Sequence, residues 1–376
     1  MKPVVDVVKK KPKITYLVKG GRQSRLLDAE APSELLYGYR ELQGLGLDMG
    51  MLADREFDLD VSPNFLKRYL NTLLYWIVGI PGWSLWRLYL KRKLFEKSDV
   101  VVVTTNTFGV CLAVLLRLKL LPCKLIFIAM GLVEASTPKR WQVVYRWALA
   151  NCGVLALAQR DAEALSTMIG REVPYIPFGV DFDFWGASIE AQTETVEKYI
   201  LSIGNDRHRD YSSLVQAWRP WFPKLKIVTK LEVSPQTANV EVIHGDWHRQ
   251  ALSDIEIRRM VNNAICTILP IRDTVQPSGQ STALQSMACG KAVLLTDFAG
   301  LWNKDFMISG QTCVFIGKPG CVKDISDTVS EFLDRPRDLE EIGRNAREVV
   351  AENLNCKVMA KSLMRFIEIH LAAEFH

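Results

Sequence analysis

The segment Gln276-Pro-Ser-Gly-Gln-Ser-Thr-Ala-Leu-Gln-Ser-Met-Ala-Cys-Gly290-Lys-Ala-Val-Leu-Leu-Thr-Asp297 holds the residues best suited to seating an anion. Its pattern predicts a Gly/Ser loop, a short helix over 280–289 stopped by Gly290, and a buried strand over 292–296. The first turn of a helix leaves backbone N–H groups unpaired and carries the positive end of the helix dipole. The amides of Ser278, Gly279, Gln280, Ser281 and Thr282 can therefore hold a phosphate or diphosphate, with the Ser and Thr hydroxyls expected to cap the helix. A plain capped helix is the bland alternative; with a ligand, the ligand is a nucleotide or nucleotide sugar.

A second basic constellation is Leu201-Ser-Ile-Gly204-Asn-Asp-Arg207-His-Arg209-Asp-Tyr211. An arginine can meet a diphosphate with two parallel hydrogen bonds, and a departing nucleoside diphosphate needs its charge neutralised. Arg207, Arg209 and Lys230 are candidates for that work, against the alternative of a solvated basic turn. Gly20-Gly21-Arg22 is either a tight turn or a place where a diphosphate approaches the backbone.

These residues need elements to position them. Ile14-Thr-Tyr-Leu-Val18 ends at a glycine turn and precedes a helical pattern over 33–45, and apolar runs return at 99–104, 125–129 and 154–158. Runs of Val, Ile and Leu without alternation predict parallel strands buried on both faces. Pro174-Tyr-Ile-Pro-Phe-Gly-Val-Asp181-Phe-Asp-Phe-Trp185 interrupts this, and strands are expected again at 199–203, 226–229, 240–243, 264–269, 292–296 and 313–316. The fold class expected is α/β, with two Rossmann-like doubly wound domains facing each other across a cleft. Boundaries are placed at 1–185, 186–355 and a C-terminal helix, 356–376, that could cross back to the first domain.

Leu284-Gln-Ser-Met-Ala-Cys-Gly290 followed by Lys291-Ala-Val293 resembles the donor site of GT-B glycosyltransferases. The likeness is closest to the large retaining family that includes glycogen synthases and bacterial mannosyltransferases. The linker 174–181 is similar to that family's passage between domains. The resemblance implies that Arg209 and Lys230 act on the donor's diphosphate, that Asn205 stands where the first cation belongs, and that His244 in Val242-Ile-His-Gly-Asp-Trp247 lies near the base, unless it is structural. It also implies a pair of glutamates that grip the sugar nucleotide, with Gln285 standing where the second belongs and Gln276 or Pro277 where the first belongs. A neutral amide lacks charge assistance, so Gln285→Glu is expected to tighten donor binding. The histidine some members carry after the fourth strand is missing from Ala129-Met-Gly-Leu-Val-Glu134; Glu134 either meets a sugar or caps the next helix. In retaining members the departing phosphate is thought to deprotonate the acceptor.

Composition bounds the rest. The 376 residues are 48% hydrophobic and 24% charged, with a formal net charge of +5, as in a globular chain of two domains. The eight cysteines show neither C-x-x-C nor zinc spacing, and residues 1–13 lack an apolar signal core, so a reducing cytosol is expected. The basic residues outside 64–97 form no stripe, which argues against nucleic acid. Residues 64–97 interleave Tyr69, Tyr75, Trp76, Trp83, Trp86 and Tyr89 with Lys67, Arg68, Arg87, Lys91, Arg92 and Lys93. That mixture suits helices lying on the inner face of a membrane, against the alternative of two core helices whose aromatics pack on the sheet.

The function expected is transfer of a sugar from a UDP- or GDP-linked donor to a membrane-proximal, lipid-linked or glycan acceptor, with retention. No cofactor or metal is expected beyond the nucleotide-sugar co-substrate. Two alternatives stay open: a non-catalytic descendant binding nucleotide sugar or membrane as a partner subunit, and an epimerase of the same fold, for which acidic catalytic residues are not apparent.

Overall fold

The computed structural model describes residues 11–58, 64–134, 136–187, 198–245 and 252–372, with the backbone alone at 64–68 and 70. The first half runs β1 (Lys13–Val18), α1 (Arg22–Leu27), α2 (Tyr39–Gly44), β2 (Asp48–Ala53), α3 (Asn64–Val78), α4 (Gly82–Leu90), β3 (Val100–Val103), α5 (Asn106–Arg117), β4 (Lys124–Ala129), α6 (Lys139–Leu149), β5 (Gly153–Ala156) and α7 (Gln159–Ile169). After α8 (Phe182–Trp185) come β6 (Tyr199–Ile203), α9 (Tyr211–Ala217), β7 (Lys224–Thr229), β8 (Val240–His244), α10 (Asp254–Asn263), β9 (Ala264–Leu269), α11 (Gln280–Ala288), β10 (Val293–Leu295), β11 (Val314–Phe315), α12 (Val322–Leu333), α13 (Pro336–Asn353) and α14 (Cys356–Ala372).

The strands form two parallel sheets, ordered β2-β1-β3-β4-β5 and β11-β10-β9-β6-β7-β8. Every paired register is parallel. Val100–Val103 and Tyr199–Ile203 are buried throughout, as strands covered on both faces must be. The doubly wound α/β architecture expected from the apolar runs is therefore present in both halves. β2 is an edge strand of mixed exposure, and its Asp-Met-Gly-Met stretch carries no β-branched signal.

Chain order reverses between β1 and β3 in the first sheet and between β6 and β9 in the second. Loops diverge at such points and leave a crevice beyond the strand ends, where doubly wound sheets bind ligands. One apolar cluster runs from Tyr16 and Ile126 in the first sheet, through Phe178, Val180 and Trp185, to Leu201 and Leu284 in the second. It joins the two halves below the crevice. α14 packs on α2, and Val180 bridges to Asn355 just before α14 begins. All eight cysteines are free thiols.

Candidate functional site

At the reversal point of the second sheet the loops leaving β6 and β9 are stitched together. Asp210 N donates to Pro270 O (3.0 Å), and Arg272 N donates to His208 O (2.8 Å). Arg209 lies inside this stitch with its side chain only 3% exposed. Its Nε donates to Asp206 Oδ2 (2.8 Å), its Nη2 reaches Thr282 Oγ1 (3.5 Å), and its Nη1 is buried without a partner. Gly279, the N-cap of the nine-residue α11, has φ +77°, and a Cβ there would stand 3.2 Å from that Nη1. The left-handed backbone and the close approach together select glycine. An unpaired guanidinium N–H beside the open end of a helix is chemically suited to an anionic oxygen.

The hydroxyl caps expected from the sequence do not form. α11 starts from Gly279, which has no side chain, so no side-chain cap exists. Ser278 Oγ instead donates to Asp206 Oδ1 (2.6 Å), because a carboxylate is the stronger acceptor within reach. Burial would raise the Asp206 carboxyl, but Arg209, Ser278 and the His208 amide outweigh it and hold it below the usual carboxylate range. Asp206 is not among the residues singled out from the sequence, although an acid three residues before an arginine in one loop is a pairing signal.

Glu134, Arg207 and Gln276, predicted separately, meet across the crevice. Glu134 Oε1 accepts from Arg207 Nη2 at 3.1 Å and from the Gln276 amide. The loop bearing Glu134 is pinned from two helices of the first half. Asn106 holds both backbone groups of Met130 (2.7 and 3.2 Å), and Gly131 N donates to Asp161 Oδ2 (2.6 Å). Gly131 has φ +61°, and a Cβ there would press on Gln276 Cγ at 3.0 Å. Burial pushes the Asp161 carboxyl up to about 6, with the Gly131 amide opposing and Glu134 adding to the rise. Glu134 does not cap α6, whose N-cap is Pro138 without a side-chain cap.

Two cavities are lined from both halves of the chain. One of about 480 Å³ is walled by Tyr75, Asn106, Trp141, Tyr145, Glu134 and Arg207, with Tyr145 Oη fixed to Gly79 O at 2.9 Å. The other, of about 520 Å³, is lined by Trp185, Ile203, Ser281, Thr282 and Gln285, and the Arg25–Asp254 ion pair (3.0 Å) crosses the crevice at its wall. Gln285 Nε2 donates to the buried Glu34 Oε1 at 2.9 Å. Gln285→Glu would therefore set two carboxylates against each other, which reverses the gain expected from sequence. Trp141 and Tyr145 are likewise absent from the sequence-derived candidates; their spacing of four on an amphipathic helix was the available signal.

The remaining candidates are used otherwise. Asn205 ties strand ends together, donating to Gly245 O (2.7 Å) and accepting from Lys230 N (2.7 Å), which occupies the amide proposed to replace a cation. The Lys230 side chain and His244 are exposed at the ends of β7 and β8; Asp246 and Trp247 lie outside the described residues. Gly20 N donates to Asp54 Oδ1 (2.7 Å) and Gly21 is the left-handed N-cap of α1, so the pair forms a tight turn. Gln280 Nε2 donates to Leu157 O at 3.1 Å, a contact between the two halves.

Among the aromatics of 64–97, Trp76 is 68% exposed and Tyr69, Tyr75 and Trp86 are exposed, but Trp83 is buried in the core. Arg87 pairs with Asp58, Lys91 Nζ donates to Glu56 O and Asp58 O (both 2.7 Å), and Arg92 lies over the Tyr89 ring. The cations are thus partly neutralised within the protein; the Lys67 and Arg68 side chains lie outside the described residues. Exposed Val143 and Trp147 on α6 extend the apolar surface. Among the described residues no helix is long and apolar enough to cross a membrane.

No protein-family model matches the chain, and no curated protein sequence matches it. Solved structures do. The Anabaena protein HepE, in complex with UDP-glucose, is 11% identical over 95% of this chain and 100% of its own, with TM-score 0.65. A glycosyltransferase from Rickettsia africae is 13% identical over 97% and 100%, with TM-score 0.68. Sucrose-phosphate synthase from Thermosynechococcus elongatus is 15% identical over 96% and 100%, with TM-score 0.67. The chain has the GT-B fold of these glycosyltransferases.

Proposed function

We propose that the protein is a retaining glycosyltransferase that takes a sugar from a UDP- or GDP-linked donor and passes it to a lipid-linked or otherwise membrane-proximal acceptor. One observation carries this reading: the crevice holds the cavity at Gln285, the Arg209–Gly279 pair, the Glu134–Arg207–Gln276 bridge and the cavity at Trp141. Nucleoside, diphosphate, transferred sugar and acceptor occupy successive stations along it. The HepE structure with UDP-glucose supports a nucleotide sugar as the donor.

In this reading the α11 amides and Arg209 take up the charge on the departing diphosphate, work that is done best by donors already in place. Arg207 and Gln276 meet the sugar from the donor side, and Glu134 meets it from the acceptor side. The same diphosphate removes the acceptor proton, so no further base is required. Lys230 can act on the phosphates only by swinging in from the end of β7.

The acceptor assignment draws on the surface around the Trp141 cavity. Tyr75 packs at a tilt against Trp141, 4.8 Å between ring centroids, so the cavity opens beside the exposed Trp76. α4 and α6 both pack on α3 and carry exposed Trp86, Trp147 and Val143. Aromatic and aliphatic groups of this kind sit at the headgroup level of a bilayer. Incubation with a panel of UDP- and GDP-sugars, with and without lipid-linked acceptors, tests the reading by nucleoside diphosphate release. Release stimulated by one acceptor supports it. Nucleotide-sugar binding with no release under any condition would indicate a non-catalytic partner subunit instead.

A further inference from the structure

Glu34 belongs to the first half of the chain yet faces the second half's cavity. It is 1% exposed and accepts three neutral donors: the Gln285 amide (2.9 Å), the Trp185 indole N–H (2.9 Å) and the Asp181 backbone N–H (3.3 Å). Gln285 stands on α11 a turn beyond the anion seat and lines the cavity of about 520 Å³. A glutamine side chain has one end that donates and one that accepts, whereas a carboxylate receiving three donors only accepts. Glu34 therefore takes the NH₂ end of Gln285 and turns the Oε1 end away from itself. The amide's orientation is thus decided by a residue 251 positions away, not by the ligand.

We propose that Glu34 is a positioning residue for nucleoside recognition: it locks the Gln285 amide so that Oε1 accepts a hydrogen bond from a ribose hydroxyl of the nucleotide in this cavity. The proposal rests on the reading of this cavity as the nucleoside station of the donor site. An acceptor held in advance, once the bound ligand shuts it off from water, rejects a ligand that lacks the matching hydroxyl, because the acceptor is then left unpaired. A freely rotating amide would instead adapt to either ligand.

The test measures binding of UDP, GDP and their 2′-deoxy and 3′-deoxy forms by titration calorimetry to wild type, Glu34→Gln, Gln285→Glu and the double variant. Wild type is expected to bind one monodeoxy form about tenfold more weakly than its parent. Glu34→Gln should reduce that ratio to within about threefold, since the released amide can present either end. Gln285→Glu alone should lower both melting temperature and affinity by opposing two carboxylates. Combining it with Glu34→Gln should restore both, because the amide now at position 34 donates to the carboxylate at 285. An unchanged ratio in Glu34→Gln, or a double variant no better than Gln285→Glu, overturns the proposal while leaving the functional reading standing. Wild type that binds UDP or GDP without discriminating either deoxy form overturns it in the same way. Failure to bind both nucleotides overturns the two together.

Discussion

Arg209→Lys probes the anion seat most directly. The guanidinium offers a second Nη that is buried and unpartnered next to Gly279, while Nε is committed to Asp206. A lysine keeps the charge but has no fork, so its single ammonium cannot both satisfy Asp206 and reach the ligand. Losing one charge-assisted hydrogen bond costs about 1.5–3 kcal/mol, so UDP binding should weaken by roughly 10–150-fold. Uridine, which carries no phosphate, should bind within about twofold of wild type, because the lost contact is with phosphate alone. Asp206 is 39% exposed, so solvent screens what remains of the pair and the cost to stability should stay near ~1 kcal/mol. Its carboxyl is held below the ordinary value, so the pair's stabilisation is present above the unfolded carboxyl's pKa and is lost only as pH falls through the folded one. Calorimetry at pH 7.5 therefore reads an intact wild-type pair. Equal losses for UDP and uridine, or no loss of UDP by a folded variant, would refute the assignment of Arg209 to the phosphates.

Three further outcomes are expected. Asp161→Asn keeps an acceptor for Gly131 N but removes a carboxyl raised to about 6. Because a raised acid destabilises the fold once ionised, the variant should gain up to about 3 kcal/mol above pH 6 and nothing below about pH 4, read from denaturant midpoints across pH. Glu134→Gln should lower kcat by roughly two orders of magnitude while leaving the donor's dissociation constant within about threefold, since the proposed arrangement sets its carboxylate toward the transferred sugar rather than the nucleotide. Trp76→Ala combined with Trp86→Ala should reduce cosedimentation with phosphatidylglycerol vesicles without changing UDP affinity; undiminished vesicle binding would exclude α3 and α4 as the membrane face.

What the sequence made legible was local. Continuous Val, Ile and Leu runs announce buried parallel strands, and Gly290 announces the end of α11, because the information lies within a few residues. The start of α11 was legible for the same reason, since the Pro-Ser-Gly loop and the first helical turn are contiguous. β2 was not, because an edge strand needs only one paired side and tolerates mixed residues. The pairings that decide the chemistry were also hidden. Gln276 and Glu134 lie 142 residues apart, and Gln285 and Glu34 lie 251 apart, so only the closed fold brings them together. The roles of Asn205 and Gly20 as braces were illegible for that reason too: each is satisfied by a partner just past the end of another strand.

The last helix has a consequence for how the chain is made. α14 packs on α2, and Lys124 at the start of β4 grips its final turn through the His370 and Leu371 carbonyls at 2.9 and 2.8 Å. Met359, Leu363 and Ile367 of α14 fill the same apolar cluster as Tyr16 and Leu42. A nascent chain whose first sheet has already left the ribosome must therefore wait, with that surface uncovered, until some two hundred further residues have been translated. Domains that fold in order of synthesis are spared this delay. Here the opening half and the closing segment mature as one unit, so a stalled or prematurely stopped translation product exposes a greasy flank to chaperones and proteases, whatever the state of the second sheet.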